Sequence, residues 1–181
     1  MIEQLQHPDK NVRILAVTDI GKRRDEGALP ALLQALCTER DSFVQENITW
    51  SLVRLGAIAV PPLIELSRHA SAVVRHYAIH TLGKIGDARA VEAVANATQD
   101  SDTTVQMKAA FTLGQLKDSR AIAALVRLLG HPDDTVRNTV SDVLEQFGRA
   151  AVPALTAAMT HPQGQVREQA AEILRQIGGH P

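Results

Sequence analysis

The feature that most constrains the fold of this chain is a short motif, a valine followed by arginine or glutamine, that recurs at nearly constant intervals. Its six copies begin at Val12, Val44, Val74, Val105, Val136 and Val166. The intervals between them are 32, 30, 31, 31 and 30 residues. A period of this length is typical of repeat arrays in which each unit is one supersecondary motif that packs only against its neighbours.

Each repeat is predicted to contain two helices. Residues four, eight and eleven places after the valine are mostly apolar or small, as in Ala78, Leu82 and Ile85, and this is the spacing of one buried helix face. A turn follows, and then a second apolar stretch that often has proline in second place, as in residues 152–155. Proline is tolerated there because the first amides of a helix have no intrahelical acceptor.

The pattern therefore predicts an all-α fold class. We expect an α-α superhelix of about five and a half helix pairs that forms a single domain over residues 1–181. The first helices should start near residues 12, 44, 74, 105, 136 and 166.

The repeat resembles that of a known family. Residues 74–91, which include Val74-Arg75, Leu82-Gly83 and Gly86-Asp87, are similar to the short HEAT-like repeat of the phycobilisome bilin lyases. The resemblance covers essentially the whole chain and implies a HEAT-like solenoid. It also implies that the aspartate before each first helix pairs with the arginine after the valine of a neighbouring repeat. The matching residues are Asp9, Asp41, Asp102 and Asp133, with Arg13, Arg75, Arg137 and Arg167.

The charge balance argues against nucleic acid as the main partner. The net charge is −1, the isoelectric point is about 6.7, and the lysines and arginines are scattered along the chain. A nucleic-acid binder usually carries a basic excess or a basic stripe. The one tight basic run is Lys22-Arg23-Arg24, and nucleic-acid binding through it is our second alternative function.

Cysteine usage and hydropathy predict the compartment. The single cysteine, Cys37, excludes an intramolecular disulfide and fits a reducing environment. The N-terminal residues lack the basic start and apolar run of a signal peptide, and no run approaches the ~20 apolar residues of a membrane span. We therefore expect a cytoplasmic protein without membrane contact.

No set of residues predicts catalysis. His76 and His80 lie four residues apart on one helix and could share a metal ion, but a metalloprotease motif would need glutamate where Tyr77 stands. Cys37, near the end of a second helix, is typical of a small core residue. We therefore expect no catalytic, cofactor-binding or metal-binding residues, no cofactor and no enzymatic activity.

The second helices are expected to line the concave face of the superhelix. If the first apolar residue of each second helix is numbered zero, positions two, five and six should point away from the buried stripe. Position five forms a polar row, and position six adds two leucines. The candidate protein-binding residues are Gln34, Glu65, Leu66, Asn96, Arg127 and Leu128. Exposed apolar surface often marks a partner site, but neighbouring helices could bury position six, and solvation alone could account for the polar row.

A second candidate protein-binding patch lies on the first helices. Trp50 and Phe111 fall six residues after their valines, at a position that should face outward. Aromatic side chains anchor many interfaces, so this outer patch could also mediate weak homodimerisation. The alternative is that these rings lean back onto the adjacent helix.

Regular surfaces without a catalytic group favour one function over the others. We expect a non-catalytic scaffold or adaptor that holds a protein or peptide on its concave face. The alternative, which the repeat resemblance implies, is a bilin lyase-like enzyme or enzyme subunit that handles a tetrapyrrole chromophore.

Overall fold

The computed structural model describes residues 2–179, which form helices joined by short turns. The α-helices of this range are α1 Lys10–Arg23, α2 Leu29–Thr38, α3 Ser42–Leu55, α4 Val60–Leu66, α5 Ala72–Ile85, α6 Val91–Ala97, α7 Thr103–Leu116, α8 Ile122–Arg127, α9 Asp134–Phe147, α10 Val152–Ala158 and α11 Gly164–Gly179. Short 3-10 helices lie at Ile2–Gln6, Glu26–Ala28, Gly56–Ala59, Ala88–Ala90, Ser119–Ala121, Leu128–Gly130 and Gly148–Ala151. Residues 2–179 contain no β-strand, so the predicted all-α fold class is confirmed.

The odd-numbered helices carry the valine motifs and are the first helices of the repeats. Each begins two residues before its valine, usually after an aspartate that caps it. The carboxylates of Asp9, Asp41, Asp102 and Asp133 accept hydrogen bonds from the amides two residues later, at 2.8, 3.0, 2.9 and 2.7 Å. Such caps satisfy amides that have no intrahelical acceptor, and their charge complements the helix dipole. Ser71 and Gln163 stand in place of the aspartate before α5 and α11, and the side chain of Ser71 makes no capping bond.

The arginine after the valine anchors the loop that precedes its own helix. The Nη1 of Arg13 donates to the carbonyl oxygens of His7 and Pro8 at 2.7 and 3.0 Å. The same pair of bonds recurs at Arg75, Arg137 and Arg167. Where the motif has glutamine instead, Nε2 makes one bond of this kind, from Gln45 to Glu39 and from Gln106 to Asp100.

The aspartate–arginine pairing implied by the resemblance is wrong for the first two repeats. Arg13 reaches the second repeat, but its partner is Glu39, with Nε 2.7 Å from Oε2. Asp41 pairs instead with Lys10 at 3.2 Å, because one of its oxygens already caps the amides of Phe43 and Val44. Burial raises the pKa of Glu39, but the hydrogen bonds from Arg13 and from nearby amides outweigh burial, so that the pKa falls below its ordinary value.

The helices form two compact units, Met1–Asp87 and Ala88–Pro181. Fully buried aliphatic side chains fill each unit. They include Ile20, Leu32, Ile48, Leu63 and Leu82 in the first unit and Leu113, Leu125, Leu129, Leu144 and Leu155 in the second. The single domain over residues 1–181 stays a prediction.

One stretch of the described residues resembles a membrane span by length and composition alone. Ser42–Leu66 covers 25 residues and is long and apolar enough to cross a membrane, whereas no such run was expected from the sequence. In the structure this stretch is α3 and α4 of one repeat, and the backbone between them turns at Gly56 with φ of +70°. Of the apolar window, 44% is buried inside the protein.

Candidate functional site

The second helices of the first unit expose a stripe at positions one and five. Pro30 and Gln34 on α2 and Pro61 and Glu65 on α4 are all exposed. The four-residue spacing places each pair on one face of its helix. Proline fits position one because it falls in the first turn, where an amide has no intrahelical acceptor to lose.

The second unit exposes the same two positions on its own second helices. The exposed residues are Glu92 and Asn96 on α6, Ala123 and Arg127 on α8, and Pro153 and Ala157 on α10. The predicted polar row is therefore accessible in each unit. Its binding role stays a prediction.

Positions two and six do not belong to this surface. Ala93 and Ala124 at position two are 7% and 3% exposed, and Leu128 at position six is 6% exposed. One residue turns a helix by about 100°, so these positions lie on the flanks, where neighbouring second helices pack. The prediction that Leu128 contributes to a binding surface is wrong for that reason, and Leu66 is only half-buried.

Trp50 in the first unit is both an outward residue and a packing residue. Its side chain is 41% exposed, and the guanidinium of Arg54 lies 5.8 Å from its ring centre. The other side of the ring rests on α1, where a methyl group at Gly21 would lie 2.6 Å from Trp50 Cζ3. Trp50 is therefore partly exposed to solvent and also packs against the adjacent helix.

Phe111 in the second unit has a similar arrangement. It is 48% exposed, and the ammonium of Lys108 on the same helix lies 5.7 Å from its ring centre. A cation over an exposed ring is stabilised by the ring quadrupole. That Trp50 and Phe111 bind a partner remains untested.

The two histidines considered as metal ligands lie in a cluster on α5. The ring centres of His76 and His80 are 6.5 Å apart. Glu46 on α3 places its Oε2 3.6 Å from His80 Nε2 and 3.8 Å from the Lys84 ammonium. Within residues 2–179 no group of three or more His, Cys, Asp or Glu side chains is placed to hold a metal ion.

Four other histidines have a structural role that our sequence analysis missed. The Nδ1 atoms of His7, His69, His131 and His161 accept hydrogen bonds from the amides two residues later, at 3.1, 3.1, 3.0 and 3.2 Å. These bonds close the loop before a first helix. The signal was available, because all four histidines recur at the same register of the repeat.

Cys37 lies near the end of α2 and is half-buried. Burial raises the pKa of its thiol. The thiolate is the nucleophilic form of cysteine, so this shift makes Cys37 less reactive than a free thiol.

Comparison with known proteins identifies both a family and a relative. A family model described as HEAT repeats matches residues 1–66 and 60–145. Phycocyanobilin lyase subunit beta of Pseudanabaena tenuis (strain PCC 7409) is 34% identical over 102 residues, which cover 55% of this chain and 36% of the relative. The chain therefore matches little more than a third of that relative's length.

Two solved structures share the fold. The complex of CpcE and CpcF of phycocyanin lyase from Nostoc sp. PCC7120 is 20% identical, with a TM-score of 0.63 over 82% of this chain and 98% of that chain. A designed armadillo repeat protein in complex with the peptide (KR)4 is 18% identical, with a TM-score of 0.51 over 97% of each chain. At these identities the likeness shows the fold alone.

The matches confirm the predicted resemblance and the solenoid fold class, and they overturn one prediction. The prediction that the chain is not an enzyme is wrong, because the relative at 34% identity is named as a subunit of a lyase. That prediction assumed that an enzyme would show a recognisable catalytic group in its sequence. A subunit can instead contribute a binding surface to an enzyme without carrying a recognisable motif.

Proposed function

The chain belongs to the HEAT-repeat family, and from this premise we propose that it acts as a lyase-type enzyme subunit that handles a bilin chromophore. The observation that carries the proposal is the likeness to phycocyanobilin lyase subunit beta. The fold shared with a complex of phycocyanin lyase supports it. Because the match spans only 36% of the relative, the activity of the whole relative is a proposal for this chain, and bilin titration tests it.

The chemistry of a bilin indicates which surface could hold it. A bilin is a flat, largely apolar tetrapyrrole with two propionate groups, so it needs an aliphatic surface beside a cation. On α8, Arg127 is exposed, and Ala123 lies one turn before it on the same face. Among residues 2–179, Arg127 makes no ion pair, which leaves its guanidinium available.

Arg127 therefore has the properties of a propionate ligand. A guanidinium binds a carboxylate through two parallel hydrogen bonds, which gives orientation as well as affinity. Asn96, which is exposed at the same position of α6 in the same unit, adds an amide for the polar edge of the chromophore. The proposed bilin contact is thus the exposed stripe of the second unit.

We also propose that the chain works with a protein partner, as the word subunit in the relative's name suggests. The exposed stripe of the first unit, with Gln34 and Glu65, is available for that contact. Its chemistry is polar and neutral to acidic, so the partner surface that fits it carries hydrogen-bond donors.

Titration with phycocyanobilin tests the proposal. We expect a change in the visible absorbance of the bilin and an induced circular dichroism signal, because binding fixes the conformation of a flexible chromophore. Arg127→Gln should weaken binding about tenfold, which corresponds to roughly 1.4 kcal/mol. The matched control is Arg149→Gln, an exposed arginine of the same unit in the turn before α10, which should leave binding unchanged. An unchanged bilin spectrum at saturating protein would refute the function, and equal losses in the two variants would refute the role of Arg127.

A further inference from the structure

The face of α1 that carries position seven after the valine differs in chemistry from the same face of the other first helices. Position seven after the valine is buried and uncharged in the five later first helices. These residues are Ser51, Thr81, Thr112, Val143 and Ile173, which are 0 to 3% exposed. In the first unit this position contacts the preceding first helix, as Ser51 Oγ donates to the carbonyl oxygen of Val17 at 2.8 Å.

On α1 the equivalent residue is Asp19. Its side chain is 38% exposed and lies 2.9 Å from Arg23 Nε one turn later. A carboxylate at a position that is elsewhere fully buried would lose its hydration unless a cation faced it. The face of α1 is therefore suited to a charged contact rather than to the apolar packing between neighbouring repeats.

The same face also exposes apolar surface. Leu15 is 71% exposed, the highest value among the large apolar side chains of the described residues. A groove of about 530 Å³ runs along this face and is lined by Gln4, Leu15, Ala16, Thr18, Asp19, Lys22 and Arg23. An exposed leucine beside a groove with charged walls is typical of an interface.

We propose that this face of α1 joins two copies of the chain about a two-fold axis. This face is self-complementary in charge, because Asp19 and Lys22 carry opposite charges three residues apart and so share one helix face. In a two-fold contact residue i meets residue j and residue j meets residue i. An acid and a base on one face can therefore each find the other on an identical partner.

The spacing fits an antiparallel contact. With the axis between Thr18 and Asp19, Leu15 of one copy lies on the methylene stem of Lys22 of the other. Because Leu15 lies opposite that lysine, Asp19 lies four residues, or roughly 6 Å at 1.5 Å per residue, further along the same helix. A lysine side chain spans that distance, so each ammonium reaches the facing carboxylate.

The contact is one helix wide, and this sets its strength. Stable dimers usually bury about 1,200 Å² or more in total, and a single helix face with one exposed leucine buries less. The dimer is therefore weak, forms at high protein concentration, and dissociates with added salt as exposed charges are screened.

Charge reversal tests the proposal, with sedimentation equilibrium as the measurement. The native chain should rise from 19.6 kDa toward twice that mass as concentration increases. Asp19→Lys, Lys22→Asp and Leu15→Glu should each raise the dissociation constant at least about tenfold. The matched control is Asp142→Lys, an exposed carboxylate on α9, which should dimerise like the native chain.

Mixing the two charge variants gives the decisive result. Asp19→Lys leaves this face with cations only, and Lys22→Asp leaves it with two carboxylates beside the single cation of Arg23. Each variant should therefore stay monomeric, while their equimolar mixture should dimerise. Circular dichroism melts check that each variant is folded. A native chain that stays monomeric, single variants that still dimerise, or a mixture that stays monomeric would each overturn the proposal. This inference does not depend on bilin binding, and its failure would leave the proposed function intact.

Discussion

At the scale of single residues, Asp118 shows how local hydrogen bonds set the behaviour of a surface carboxylate. It caps the 3-10 helix before α8 and accepts from the Arg120 amide at 3.0 Å. It also accepts from Arg120 Nε at 2.9 Å. The hydrogen bonds from the Arg120 guanidinium and amide lower the pKa of Asp118 from 3.8 to about 2. Arg120 in turn donates to the carbonyl oxygen of Ala88 at 3.1 Å, so the pair fastens two turns of the second unit together.

The lowered pKa of Asp118 predicts a defined pH dependence. A carboxyl whose folded pKa lies below its unfolded value stabilises the fold above that unfolded value, and the contribution is lost as the pH falls through the folded pKa. We expect Asp118→Asn to melt below the native protein at about pH 7. The difference in Tm should shrink between about pH 4 and pH 2. Thermal melts by circular dichroism across this range, with Asp142→Asn as a surface control, measure it. A difference that stays constant down to pH 2 would contradict the assignment.

At the scale of helices, the close approach of α1 and α3 depends on Gly21. A methyl group there would lie 2.6 Å from Ser51 Oγ, 2.6 Å from Trp50 Cζ3 and 2.9 Å from Ser51 Cα. The last contact is to backbone, so a side-chain rotation cannot relieve it. The two helices would have to separate, and the bond from Ser51 to Val17 would lengthen.

We therefore expect Gly21→Ala to destabilise the first unit by about 1–3 kcal/mol, the usual cost of overpacking. Chemical denaturation followed by circular dichroism measures it. Gly178→Ala on α11 is the matched control, because a methyl group there would contact nothing within 4 Å. It should be neutral or slightly stabilising, since alanine favours helix over glycine. Equal effects at the two positions would show that the clash at Gly21 is relieved without cost.

Some features of these helices could be predicted from sequence, and others could not. The valine motif established the register of the repeats, because the same β-branched residue recurs every 30 to 32 residues. Which face of each second helix is buried was harder to predict. Alanine is exposed at Ala123 but buried at Ala93 and Ala124, so residue type alone could not separate the two faces. Leu128 was misplaced for that reason. The exposure of the polar row was predicted correctly, because Gln34, Glu65, Asn96 and Arg127 cannot be buried without partners.

At the scale of the whole molecule, stability should be distributed along the chain. In repeat proteins each helix pair buries its apolar face against its neighbours, so stability is a sum of repeat and interface contributions. Function was less accessible from sequence than fold for a related reason. The residues that recur in the repeats serve packing, capping and loop closure, and what the chain binds depends on surface residues that differ between repeats, such as Arg127 and Asp19.

A core substitution in the second unit tests this distribution. Leu113 is fully buried, so Leu113→Ala should cost roughly 2–5 kcal/mol of unfolding free energy. Hydrogen exchange should lose protection mainly within residues 88–181, because repeats open as local units. Gln115→Ala, at an exposed position of the same helix, is the control. A loss below about 0.5 kcal/mol would place Leu113 outside the core.

The loop anchor after each valine has a consequence for how such a chain can change. Arg13, Arg75, Arg137 and Arg167 hold their loops with a guanidinium, and Gln45 and Gln106 do so with a neutral amide. Two side chains of different charge thus close the same backbone. The charge of a repeat can therefore change during evolution, or be changed by a protein engineer, without a change in its fold. The electrostatic potential of the array can be adjusted in this way repeat by repeat.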